Sequence, residues 1–184
     1  MHRRFCFATL AITALLAHPV IAQPAYDMGA LPKGATFTWH ADNGNATVKY
    51  LGQNGPLFKF RYTRDASQGQ PVKVTSWSDR AGNTVKARVP SGTVTFTPHD
   101  CSMTPGTCKY TESHSRYGRR NVVSTGTFKG GIRHYTKHED RVSPGTLLEK
   151  GTVSIDQYGV ALDRDYQHFE NGAVTKTGWT RRNR

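Results

Sequence analysis

The most chemically suggestive part of the sequence is a run of histidines and carboxylates at residues 130–140. His134 and His138 are four residues apart, so they face the same way on either a helix or a strand. A carboxylate next to an imidazole, such as Glu139, can orient the ring for metal binding or proton transfer. The zinc-protease pattern needs a glutamate directly after the first histidine, and Tyr135 stands there instead.

On a strand, the same segment places alternate side chains on one face. We expect this face to line a pocket in a barrel interior, formed by His134, Thr136 and His138. Motifs for phosphate, dinucleotide or nucleophile chemistry are missing from the sequence. It therefore predicts no metal and no cofactor, and the catalytic residues of any enzymatic activity are unknown.

Two cysteines form a second candidate for chemistry. Cys101 and Cys108 enclose a short loop with a Pro105-Gly106 turn that brings its ends together. An even pair in an exported chain is typical of a disulfide, which would stabilise the fold by roughly 2.5 kcal/mol. The alternative, a two-cysteine metal site, fits none of the common zinc spacings.

Basic side chains lie on the polar side of several alternating segments. If neighbouring strands pair, these cations share one face with Trp77, and such a face can bind a polyanion with the indole as a stacking platform. The alternative is a solvated surface whose spread charges protect strand edges. A second basic loop follows at residues 116–120. The candidate polyanion-binding residues are Lys59, Arg61, Lys73, Trp77, Lys86, Arg88, Arg116, Arg119 and Arg120.

The elements that must position these residues are strands. Phe58, Phe60 and Tyr62 alternate with basic residues, and the same period of two recurs at residues 85–89 and 93–97. Turn signals separate these runs, and Asn171-Gly172 predicts a tight hairpin. The spacing predicts an all-β, antiparallel meander of about eight to ten strands, in a closed or partly open barrel or, alternatively, a two-sheet sandwich.

The beginning of the sequence has the pattern of a secretion signal. Arg3 and Arg4 precede an apolar run, and Val20-Ile21-Ala22 fits a signal-peptidase site. We expect a cleavable signal peptide at residues 1–22 and a single all-β domain at 23–184, in which residues 23–33 form a loose arm. The product would be periplasmic or extracellular and not an integral membrane protein.

Charge narrows the choice of partner. The 184 residues carry 25 Lys and Arg against 13 Asp and Glu, a net charge of +12. Cleavage after residue 22 removes two arginines and leaves +10. This excess favours an anionic polymer, a lipid surface or a protein as partner.

Three functional hypotheses follow. The first is a non-enzymatic exported protein that binds an anionic envelope component or a protein partner. The second is a small-ligand carrier with a barrel-interior pocket. The third is a small secreted hydrolase or nuclease built on scattered His, Glu and Arg residues. The sequence favours a protein without enzymatic activity and leaves the oligomeric state open.

Overall fold

The described part of the chain folds mainly into antiparallel strands. The computed structural model describes residues 26–42, 44–65, 71–140 and 146–183. The predicted signal peptide lies outside these residues. Apart from a single 3-10 turn at Met28–Ala30, the regular elements are β1 (Thr36–Ala41), β2 (Gly44–Asn54), β3 (Leu57–Arg64), β4 (Val72–Ser78), β5 (Thr84–Val89), β6 (Gly92–Thr97), β7 (Gly106–His114), β8 (Gly118–Lys129), β9 (Ile132–Glu139), β10 (Leu147–Ile155), β11 (Ala161–Glu170) and β12 (Ala173–Arg182).

These twelve strands form one closed barrel. Each strand pairs with its neighbours in the sequence, and β1 pairs with β12 to close the sheet. The prediction of a closed antiparallel barrel is confirmed, with twelve strands in place of the expected eight to ten. The Asn171-Gly172 hairpin is confirmed as well, and both residues have the positive φ that a tight turn requires.

The alternation of side chains separates a barrel interior from an outer wall. Phe58, Phe60 and Val94 are buried, as the period of two predicts. Val85 and Phe96 are only half-buried. For Val85 the reason is an irregularity in the β4–β5 register, which leaves this residue without a partner in the ladder.

One end of the barrel is covered by the segment that precedes β1. Met28 and Leu31 are buried there and pack with Tyr50, Phe58 and Phe60 in one apolar cluster. The expectation of a loose arm is therefore wrong for residues 26–33. The Pro and Gly residues of this segment permit turns, and the burial of Met28 and Leu31 away from water stabilises its folded conformation.

The loop between β6 and β7 lies at the same end, and the predicted disulfide joins this loop to β7. Cys101 and Cys108 are bonded, and their Cα atoms are 6.1 Å apart. Cys101 is fully buried, and its carbonyl oxygen accepts a hydrogen bond of 3.0 Å from the guanidinium of Arg133 on β9. The disulfide loop is thereby tied to the barrel wall.

Within the described residues, no helix has the length and apolar character needed to cross a membrane.

Candidate functional site

The strand register brings the predicted cations of β3, β4 and β5 together on the outer wall. Lys59 lies opposite Trp77, which in turn lies opposite Lys86. In the next row, Arg61 and Arg88 flank Thr75. With Lys73, these residues form one continuous surface. We call it the basic face, made of Lys59, Arg61, Lys73, Trp77, Lys86 and Arg88.

Trp77 lies at the centre of the basic face. The ammonium nitrogen of Lys59 is 5.5 Å from the centroid of its ring, and that of Lys86 is 5.1 Å away. Both distances are within the range of a cation–π interaction, which attracts each ammonium group to the negative face of the indole. The indole on β4 thus holds two cations, one from the strand on each side of it, close together.

The cations of the basic face have no acidic partner among the described residues: none of the ion pairs in that part of the chain involves Lys59, Arg61, Lys73, Lys86 or Arg88. The outward positions beside them are threonines: Thr47, Thr63, Thr75, Thr93 and Thr95. Lys49 on β2 lies opposite Arg61 and extends the surface. Sequence reasoning missed Lys49, although its alternation with Val48 and Tyr50 was the available signal.

The second basic loop does not form a comparable surface. Arg120 lies on the inner face of β8, where its guanidinium donates to the carboxylate of Glu112 at 2.9 and 3.1 Å. Arg119 is its exposed neighbour on the outer face. Arg116 lies in the hairpin, 5.6 Å from the ring centroid of Tyr117. The three arginines therefore point in different directions, and one of them is already paired.

The predicted interior pocket of His134, Thr136 and His138 is wrong in its location. These residues do share one face of β9, but it is the outer face, since Arg133 and Tyr135 are the buried ones. His134 and Thr136 line a cleft of about 620 Å³ on the outer wall. His138 is further along the strand and outside this cleft.

The barrel interior holds a polar network centred on Glu149 of β10. Its carboxylate accepts hydrogen bonds from the hydroxyl of Tyr135 at 2.6 Å and from the guanidinium of Arg164 at 2.8 Å. The ammonium of Lys137 lies 3.9 Å away, and Nδ1 of His168 lies 3.3 Å from the second oxygen. Glu149 is only 8% exposed, so this carboxylate exchanges most of its water for these partners.

The network controls the ionisation of its members. Burial would raise the pKa of the Glu149 carboxyl, but the charges of Lys137 and Arg164 and the Tyr135 hydrogen bond outweigh burial and lower the pKa to about 2. Burial lowers the pKa of His168, and Arg164 adds to that effect against the opposing influence of Glu149. At neutral pH, Glu149 is therefore ionised and His168 is neutral.

A cavity of about 600 Å³ adjoins this network toward the end of the barrel opposite Met28 and Leu31. Its walls combine apolar groups with charged ones: Phe96, Tyr110 and Val122 with Glu112, Arg120, Lys137, Glu149 and His168. Sequence reasoning missed this constellation. Glu149 interrupts an otherwise largely apolar face of β10, and Arg164 lies on a strand whose two faces are both mixed, so alternation alone does not show that these charges meet inside the barrel.

The two cysteine sulfur atoms are not available as metal ligands. His99, Cys101 and Cys108 form the one group of three close metal-ligand side chains in the described part of the chain. Both thiols are used by the disulfide. Nδ1 of His99 accepts a hydrogen bond from the backbone N–H of Cys101 at 3.2 Å, which gives the imidazole a structural partner.

Comparison with known proteins adds no relative from which a function could be carried over to the basic face, the outer cleft or the interior network. The chain matches no family model, no curated protein and no solved structure at a significant level of similarity.

Proposed function

We propose that this protein is an exported, non-enzymatic binding protein whose basic face holds an anionic polymer. The observation that carries this proposal is the cluster around Trp77. Two ammonium groups lie over one indole, and Arg61 and Arg88 occupy the next row, with no acidic partner among the described residues.

The spacing of this cluster suits a polymer more than a small anion. Neighbouring strands lie about 4.8 Å apart, so the charged rows from β2 to β5 extend over about 14 Å. A chain of phosphate or sulfate groups can neutralise several such cations at once and release their condensed counterions. The half-buried indole adds a flat apolar surface on which a base or a sugar ring can stack.

We place the partner outside the cytoplasm. The Cys101–Cys108 disulfide supports this location, because disulfides persist in oxidising compartments. The basic composition supports it less directly, since anionic polymers of the cell envelope attract a chain with excess positive charge.

The two alternative functions find less support. A carrier for an apolar ligand needs a lining of apolar side chains, whereas ionised Glu149 and its cationic partners adjoin the interior cavity. A hydrolase needs a base that is available to its substrate. Both oxygens of Glu149 already face partners, which fits a structural ion network better than proton transfer.

The test compares the retention of the wild-type protein on heparin with that of two double variants. In each variant, two positive charges are replaced by negative ones. Lys86→Glu with Arg88→Glu removes two cations of the basic face. Arg119→Glu with Lys129→Glu changes the net charge by the same amount on the exposed outer face of β8. We expect the first pair to reduce the slope of log affinity against log salt by about two, and the control pair to leave most of the slope in place.

Trp77→Ala should weaken heparin binding while leaving the salt slope nearly unchanged, since it removes stacking and no charge. Equal loss in the two double variants would mean that net charge alone causes retention. Loss only with Arg119→Glu and Lys129→Glu would move the binding surface to β8. Either result would overturn the proposed function.

A further inference from the structure

The outer cleft lies on the opposite wall of the barrel from the basic face. It crosses β8 to β12 between two complete rows of outward side chains, whose members face one another in the strand register. One row is Thr125, Thr136, Lys150, Gln167 and Thr177. The other is Thr127, His134, Thr152, Asp165 and Trp179. Four interstrand spacings of about 4.8 Å give the cleft a length of about 19 Å.

The floor of the cleft is backbone because the residues between the two rows point inward. This middle row alternates glycine and tyrosine: Gly126, Tyr135, Gly151, Tyr166 and Gly178. Inside the barrel, a Cβ atom on Gly178 would overlap the ring of Tyr166, and one on Gly151 would overlap the backbone of Asp165. Glycine at these positions thus leaves room for the ring of Tyr166 and for the close approach of the neighbouring backbone.

Trp179 forms one end of the cleft. It is one of the few large apolar side chains on the outer wall, and 40% of its surface is exposed. The guanidinium of Arg181 lies 5.7 Å from the centroid of its ring and donates to the carboxylate of Asp165 at 2.7 and 3.0 Å. These contacts fix the indole beside the cleft.

The side chains of the two rows match a ligand rich in hydroxyl groups. Five threonine hydroxyls, the amide of Gln167 and the imidazole of His134 can each donate or accept a hydrogen bond. Asp165 is paired with Arg181, so the charged groups at the cleft leave one positive charge, that of Lys150. On a chain with a net charge of +12, this sparsely charged surface favours a polyanion less than the basic face does.

We propose that the outer cleft binds a neutral saccharide chain, with Trp179 as the stacking platform for one sugar ring. The C–H face of a sugar ring is apolar and its edges are hydroxyl groups, which fits an indole at one end of two rows of threonines. The open length of the cleft suits a chain of several sugars more than a single one. This binding site is separate from the basic face, so the inference stands or fails independently of the proposed function.

The experiment is affinity electrophoresis of the folded protein in native gels that contain one soluble neutral polysaccharide each. The probes are hydroxyethylcellulose, xylan, amylopectin, dextran and glycol chitin. We expect at least one of them to retard the wild-type protein. Hexasaccharides of the retarding polymer then give the affinity by titration calorimetry.

Two variants locate the binding. Trp179→Ala removes the platform, and Thr152→Arg places a long side chain in the middle of the cleft. Each should weaken the hexasaccharide affinity about tenfold or more. Trp77→Ala is the matched control, since it removes an indole from the opposite wall, and it should leave saccharide binding unchanged. Circular dichroism and the melting temperature establish that each variant is folded.

The proposal is overturned if none of the five polysaccharides retards the wild-type protein. It is also overturned if retardation survives in both Trp179→Ala and Thr152→Arg while the proteins are folded. Heparin binding, measured in parallel, separates this outcome from the proposed function, because neither cleft variant alters the basic face.

Discussion

At the scale of single residues, Glu149 is the buried carboxylate on which the interior network is centred. A carboxylate that is 8% exposed has lost most of its hydration and depends on Tyr135, Lys137 and Arg164 for compensation. Such a network contributes little net stability compared with an apolar core of the same volume. Breaking it, however, leaves buried charges without partners.

We therefore expect Glu149→Gln to destabilise the protein by about 3 kcal/mol, because Arg164 and Lys137 then lie next to a neutral amide. Urea denaturation at neutral pH measures this loss. Glu170→Gln is the control, since Glu170 is exposed on the same barrel, and it should change the unfolding free energy by less than about 0.5 kcal/mol. Similar losses in the two variants would contradict a central role for Glu149.

The comparison of wild type with Glu149→Gln should also depend on pH. The pKa of Glu149 is lowered from 4.5 to about 2 in the folded state, so the folded state binds this proton less readily than the unfolded state does. Its stabilising effect is fully present above pH 4.5 and is lost as the pH falls toward 2. The difference in unfolding free energy between wild type and Glu149→Gln should narrow over this range. A difference that stays constant would show that the carboxylate charge is not what stabilises the fold.

At the scale of elements, the sequence predicts the strands well, but it predicts which face of a strand is buried only for some of them. Phe58 and Phe60 alternate with Lys59 and Arg61, so one face is plainly apolar and its burial follows. On β9 both faces are mixed, and the buried one carries Arg133, Tyr135 and Lys137. A twelve-strand barrel has an interior wide enough for such side chains, and sequence alone does not reveal that width.

The pairing register of neighbouring strands could not be predicted from the sequence either. To predict the basic face, one must know that β3, β4 and β5 are neighbours and how their residues are aligned. Hairpin turns indicate this alignment only where they are short. The β3–β4 connection is long, and the register shifts between Trp77 and Ser78 on β4. The candidate cations could therefore be named from their alternation, but their convergence on Trp77 could not be derived.

The row of glycines and tyrosines under the outer cleft gives a prediction at this scale. Gly178→Ala should destabilise the barrel by about 1–3 kcal/mol, because the added methyl group overlaps the ring of Tyr166 and forces the strands to shift. In a Tyr166→Ala background the same change should cost much less, since the overlapping ring is gone. Chemical denaturation of the four proteins in this double-mutant cycle measures the coupling. Additive losses would show that the ring and the glycine do not depend on each other.

At the scale of the whole molecule, the barrel separates two surfaces of different chemistry. β4, at the centre of the basic face, and β10, at the centre of the outer cleft, are six strands apart in either direction around the closed sheet. The Glu149 network lies in the interior between them, and none of its members belongs to the basic face. Coupling between distant sites requires a connecting element with two alternative arrangements, and we expect the two walls to act independently.

This independence is measurable because each wall has its own probe. With a neutral hexasaccharide that binds the outer cleft, the affinity should be the same in the presence and absence of saturating heparin fragments. The affinity for heparin should likewise be unchanged by the hexasaccharide, since coupling free energies are reciprocal. Lys86→Glu with Arg88→Glu should affect only heparin, and Trp179→Ala only the saccharide. Mutual exclusion of the two ligands would mean that they share one surface, and the assignment of separate walls would then be wrong.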